Sequence, residues 1–137
     1  MGKKLAMFYG VVLICNLILF GILPISADAD QEMLEISADE AAERVVNGRF
    51  DVILDVKQPE EYKLLHIPGA VPTPLNTLKE GVREKLSNPA ASILVYCSDG
   101  SRSLEAVKIL KDMGYPNAIS LEGGMAAWDE KGYPVAK

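Results

Sequence analysis

Cysteine is scarce in this chain: two occur among 137 residues, and the first, Cys15, lies inside an apolar N-terminal run. If that run is removed, the remaining thiol, Cys97, has no partner in the chain for a disulfide. An intermolecular bridge or a reactive thiol is left. Histidine and tryptophan occur once each, as His66 and Trp128. Charges are mixed in sign and sum to −5, so no basic stripe is available for the phosphate backbone of a nucleic acid. No repeat or low-complexity tract is present, and the length allows one domain with a proper core.

The apolar N-terminal run is what stands out first. Lys3 and Lys4 precede a largely apolar stretch from Leu5 to Leu23, and Ala27-Asp28-Ala29 offers a small-x-small cleavage site before Asp30. Residues 1–29 therefore read as a signal peptide. Because the run approaches the ~20 residues of a spanning helix, an uncleaved N-terminal membrane anchor is the alternative. Either way the lysines stay in the cytoplasm and the domain, residues 30–137, is exported. The expected location is the bacterial periplasm, or the outer side of the membrane if the anchor is kept. Ile14 before Cys15 is too bulky for a lipoprotein cleavage site.

Beyond residue 30, strand and helix patterns alternate. Met33 to Ile36 reads as a short strand, and Ser37 with Glu40 forms a capping box for a helix through Val46, ended by Asn47-Gly48. The apolar run Val52 to Val56 reads as a strand covered on both faces. Pro59 opens a short helix from Glu60 to Leu65. The two prolines of His66 to Pro72 forbid a helix, leaving a turn with a short extended segment around Val71. Leu78, Val82 and Leu86 mark an amphipathic helix over 76–86. Ile93-Leu94-Val95 is a buried strand, Leu104 to Met113 a helix, and Ala118 to Leu121 the last strand. Gly123-Gly124 turns into a helix carrying Trp128, read as core or site wall. The alternation predicts an α/β fold with a parallel, mostly five-stranded sheet and helices on both faces.

The chemistry concentrates in Tyr96-Cys97-Ser98-Asp99-Gly100-Ser101-Arg102-Ser103, which joins a strand to a helix. A cysteine there faces a helix N-terminus, whose unpaired N–H groups and dipole favour a thiolate over a thiol. Free cysteine ionises near ~8.5 and only the anion attacks, so the helix end and Arg102 together make a nucleophile of Cys97. Gly100 lets the loop curl without a Cβ clash.

Cys-x-x-Gly-x-Arg-Ser after a strand resembles the active-site loop of rhodanese-type sulfurtransferases. Three further stretches agree: Leu54 to Tyr62 (Leu-Asp-Val-Lys-Gln-Pro-Glu-Glu-Tyr), His66-Ile67-Pro68-Gly69-Ala70, and Leu121 to Trp128 with its Gly-Gly-x-x-x-Trp pattern. The resemblance spans Met33 to Val135. It implies a rhodanese-like fold and transfer of a sulfane sulfur through a Cys97 persulfide. Cys97 would be the nucleophile. Arg102 would brace the loop or face the anionic leaving group, and Ser98, Asp99, Gly100, Ser101 and Ser103 would cradle the transferred sulfur. Asp55 and His66 are expected to give structural support. The family places this histidine in a backbone-fixing turn, and no Asp or Cys adjoins it in sequence to form a relay.

Donors would be thiosulfate or a persulfide, and acceptors thiols or another thiophile, with a persulfide-carrying protein as a further candidate partner. No metal or organic cofactor is required, no nucleic acid is expected, and a monomer is. A membrane is involved only if residues 1–29 are retained. Three alternatives stay open: a catalytically weak rhodanese-like sulfur-carrier or binding module, a thiol redox sensor reached by solvent, and phosphatase or arsenate chemistry. For the last, the four residues between Cys97 and Arg102 make a small ring for a tetrahedral phosphate. Departures from the family pattern are Lys57 where arginine is common, Leu65 where glycine is usual, and Asp99 within the loop. Lysine lacks the bidentate fork of arginine. A carboxylate beside the sulfur opposes a thiosulfate dianion, so thiosulfate is expected to be a poor donor and a neutral or protein-bound persulfide a better one.

Overall fold

The computed structural model describes residues 32–137, and the segment read as a signal peptide or anchor lies outside them. Among the described residues no helix is long and apolar enough to cross a membrane. One sheet is formed by β1 (Glu35–Ile36), β2 (Val52–Asp55), β3 (Val71–Pro72), β4 (Ile93–Tyr96) and β5 (Ala118–Leu121). Between and after the strands run α1 (Ala38–Val46), α2 (Pro59–Leu64), α3 (Leu78–Lys85), α4 (Ser101–Asp112) and α5 (Gly124–Glu130). The strand order is β1-β5-β4-β2-β3 and every neighbouring pair is parallel. The fold is thus the predicted α/β sandwich, a parallel five-stranded sheet flanked by helices.

Strand β4 lies in the middle, and its four residues are fully buried. Each large apolar side chain removed from water there contributes about 1.5–3 kcal/mol. Side chains alternate between the faces of a strand. Ile93 and Val95 accordingly join the core containing Leu78, Val82, Val107 and Leu110 of α3 and α4. Leu94 and Tyr96 join the core containing Ala41 of α1 and Met125 and Trp128 of α5. By the same parity Cys97, one residue beyond β4, belongs to the α3/α4 side. The sheet therefore directs the thiol toward the start of α4.

Element ends differ from expectation in ways that have local causes. The first strand keeps only Glu35 and Ile36, which pair with Ser120 and Leu121. Pro59 is itself the first residue of α2, since a missing N–H costs nothing there. The helix expected over 76–86 begins as a 3₁₀ turn, Leu75–Thr77, before α3. Helix α4 starts at Ser101, three residues before its apolar periodicity, which pulls the helix end into the cysteine loop.

Candidate active site

The loop from Cys97 to Gly100 wraps the sulfur with backbone donors. The Gly100 N–H points at Cys97 Sγ from 3.1 Å and the Ser103 N–H from 3.4 Å. Gly100 is the N-cap of α4 and has φ 97°, a left-handed conformation that L side chains rarely adopt. Ser103 is buried, and its hydroxyl lies 3.6 Å from the sulfur, 3.1 Å from the Gly100 carbonyl and 2.8 Å from the Ser120 hydroxyl. Two backbone N–H groups thus converge on one sulfur.

Asp99 also approaches the sulfur, with Oδ1 at 3.7 Å from Sγ. The same oxygen accepts from the Ser101 N–H at 3.0 Å and the Ser101 hydroxyl at 2.7 Å. Those two bonds, the hydroxyl's first, hold the carboxyl below the usual aspartate range, so it is a fixed negative charge at the mouth. Cys97 itself is buried, not open to solvent as the redox-sensing alternative supposed. The strand that delivers it and the helix that caps it close around the sulfur.

The loop is held from behind by the turn into α5. The Met125 N–H donates to the Cys97 carbonyl at 2.8 Å and the Ala126 N–H to the Ser98 carbonyl at 3.0 Å. This approach is so close that a Cβ on Gly124 would lie 2.5 Å from the Cys97 oxygen and 2.8 Å from the Asp99 nitrogen. Of the glycine pair noticed in the sequence, Gly124 is the one the loop leaves no room beside, while a Cβ on Gly123 would meet Ala127 Cβ at 2.7 Å.

At the end of β2 sits a buried ion pair. Lys57 Nζ lies 3.2 Å from Asp55 Oδ2, with the side chains 3% and 0% exposed. Asp55 Oδ1 accepts the Lys57 N–H at 2.9 Å, and Nζ donates to the Leu65 carbonyl at 2.6 Å. Tyr96 lies beside this pair, its ring 5.3 Å from Nζ, and its hydroxyl accepts the Ile67 N–H at 3.0 Å. Burial, with Asp55 nearby, raises the Tyr96 phenol far above its ordinary range, so it stays neutral. His66 stacks on Tyr62 at 3.9 Å, has Nδ1 2.8 Å from the Tyr62 carbonyl, and exchanges backbone hydrogen bonds with Ala136. It is engaged in the turn and is not brought to the sulfur by any contact.

Arg102 reaches outward to α2. Nη1 donates to Glu61 Oε2 at 2.8 Å and Nη2 to Oε1 at 2.9 Å, a bidentate pair about one-third exposed. Ser98 Oγ joins them, 3.1 Å from both Nη2 and Glu61 Oε1. The guanidinium, first, holds the Glu61 carboxyl at about 2 against an ordinary 4.5, and in turn raises Arg102. Beside Ser98 a depression of about 300 Å³ is lined by Lys57, Glu61, Leu65, Met125 and Asp129, among others. Among the described residues no three His, Cys, Asp or Glu side chains are placed to hold a metal ion.

The fold therefore brings Cys97, Ser98, Asp99, Gly100, Ser101, Arg102 and Ser103 into one loop, with Asp55 at the end of β2. Sequence reasoning missed Glu61, Ser120 and the ion pairing of Lys57. Glu61 carried one local signal: its position three residues after Gln58, where its carboxylate accepts the Gln58 N–H at 2.8 Å.

The family model for a rhodanese-like domain matches residues 37–131, which takes in every helix and every strand but β1. The chain belongs to the rhodanese-like domain family. Among curated relatives, an adenylyltransferase and sulfurtransferase of Ogataea parapolymorpha is 32% identical over 103 residues, 74% of this chain and 26% of that protein. Thiosulfate sulfurtransferase 18 of Arabidopsis thaliana is 30% identical over 122 residues, 80% of this chain and 88% of that one. The solved rhodanese-like domain of an Anabaena protein superposes with a TM-score of 0.69 at 29% identity, covering 74% of this chain and 77% of that one. The chain thus spans about a quarter of the Ogataea relative and nearly all of the Arabidopsis one. Rhodanese-like membership broadly supports sulfurtransferase-type chemistry.

Proposed function

We propose that this rhodanese-like domain is a sulfurtransferase that carries a sulfane sulfur as a persulfide on Cys97. The observation that carries the reading is the pair of amides, Gly100 and Ser103, aimed at one sulfur at the end of the central strand. In the first half-reaction the thiolate attacks the outer sulfur of thiosulfate or of a persulfide. The donor's S–S bond breaks and its electron pair leaves with sulfite or with the donor thiolate. Cys97 is left bearing one more sulfur. In the second half-reaction an acceptor thiolate, cyanide or another thiophile attacks that terminal sulfur, and the Cys97 thiolate is regenerated as leaving group. No net oxidant is consumed, and a covalent intermediate implies ping-pong kinetics.

Small sulfur donors and thiol acceptors are the partners this chemistry needs. The depression beside Ser98 gives an acceptor room next to the loop. Residues 1–29 support delivery of the domain outside the cytoplasm, and intact-mass analysis of the purified protein reports whether they are removed. The test of the chemistry is Cys97→Ser. After loading with donor and transfer to cyanide, thiocyanate release falls to background, and mass spectrometry of the loaded wild type shows one added sulfur on Cys97. Undiminished release from the variant would overturn the reading.

A further inference from the structure

Arg102 stands where an anionic donor would be received, yet its charge is already matched. Both terminal nitrogens meet the two oxygens of Glu61, at 2.8 and 2.9 Å, in the fork geometry that makes arginine–carboxylate pairs strong and oriented. Glu61 is not free to swing away, since the Gln58 N–H donates to it at 2.8 Å and Ser98 Oγ at 3.1 Å. Lys57, which lines the depression beside Ser98, is buried against Asp55. Asp99, held by Ser101 and 3.7 Å from Sγ, is the charge at the mouth with no cation in its bonds. A dianion approaching Cys97 thus meets two cancelled cations and the carboxylate of Asp99, with Asp129 lining the depression alongside. A persulfide attached to carbon brings at most one negative charge at its outer sulfur, against two on thiosulfate, and meets less opposition.

We propose that Glu61 is a specificity-determining residue that converts Arg102 from an anion receptor into a brace, so that the site takes sulfur from a carbon-bound persulfide in preference to the thiosulfate dianion. This inference rests on the sulfur-transfer reading of Cys97. In the step it favours, the Cys97 thiolate attacks the outer sulfur of R–S–SH. The S–S bond breaks with its electron pair passing to R–S⁻, and Cys97–S–SH remains.

The test compares the full chain as wild type, Glu61→Gln, Arg102→Ala and the double variant, with folding checked by thermal melting. The first measurement needs no turnover: sulfate, an unreactive dianion, is assayed for protection of Cys97 against iodoacetamide. Wild type gains no protection, Glu61→Gln gains it, and the double variant loses it again. The second measurement sets thiosulfate against cysteine persulfide with cyanide as acceptor. Glu61→Gln lowers the thiosulfate KM by about tenfold with kcat little changed, while the persulfide KM moves less than about twofold. If Glu61→Gln melts early, Glu61→Ala frees the same guanidinium and is read identically. Unchanged sulfate protection together with an unchanged thiosulfate KM overturns the inference, as does the same gain in the double variant. Failure of wild type to acquire sulfur from either donor sinks the sulfur-transfer reading instead, and the sulfate measurement still decides the role of Glu61.

Discussion

Two ion pairs lie near the cysteine loop, and they differ in what surrounds them. The lower pair, Asp55 and Lys57, is buried at the end of β2, whereas the upper pair, Glu61 and Arg102, meets at the rim of the loop with about a third of each side chain in water. A buried pair is costly to assemble, and breaking it by removing one partner costs several kcal/mol because a charge is stranded. A partly exposed pair contributes about 1 kcal/mol or less to stability, since water screens both members. The lower pair is therefore the one on which the fold depends. The upper pair, with its exact fork and little stability to give, matters for what the loop can receive.

Breaking the lower pair should have the largest effect on stability. Lys57→Met strands the Asp55 carboxylate, and urea unfolding is expected to show a loss of about 3–5 kcal/mol. Combining it with Asp55→Leu should recover part of that loss, because an apolar pair strands no charge. Next in size comes the contact behind the loop. Gly124→Ala places a Cβ against the Cys97 carbonyl at a left-handed φ of 58°, and a loss of about 2–3 kcal/mol is expected together with slower alkylation of Cys97.

The upper pair should show the smallest change and a pH signature that separates it from the lower. The folded-state value of Glu61 lies near 2, below the ordinary 4.5, so its stabilisation is fully present above about pH 4.5 and is lost as pH falls through 2. The stability difference between wild type and Glu61→Gln, about 1 kcal/mol at neutral pH, should shrink over that window in acid unfolding. A difference that persists undiminished at pH 2 would mean that the pair is not what Glu61 contributes.

Much of this arrangement is legible in the sequence because it is local. Ser37 caps α1 by accepting the Glu40 N–H, as its spacing from Glu40 suggests, and the apolar run 93–96 becomes the fully buried central strand. The cysteine loop reads directly, since strand, glycine and helix follow one another within a few residues. What escapes is long-range. Glu61 and Arg102 are 41 residues apart, on helices whose proximity depends on β4 entering the sheet beside β2. No periodicity of α2 or α4 encodes that meeting. Lys57 stands out in the sequence only as a lysine where arginine is common, and the fold shows it buried against Asp55. Asp99 lies between these cases: its place in the loop is visible, but its direction depends on Ser101.

The amides of Met125 and Ala126 supply the carbonyls of Cys97 and Ser98 with their donors, so the cysteine loop leans on a part of the chain well downstream of it. A chain missing residues 123–137 would retain Cys97 and Arg102 while leaving two backbone oxygens unpaired beside the sulfur. Insertions and tags belong for the same reason in the exposed stretch 87–90, away from the seam where β5 meets α5. At that seam, a single extra residue would reach the sulfur through the backbone without altering any side chain around it.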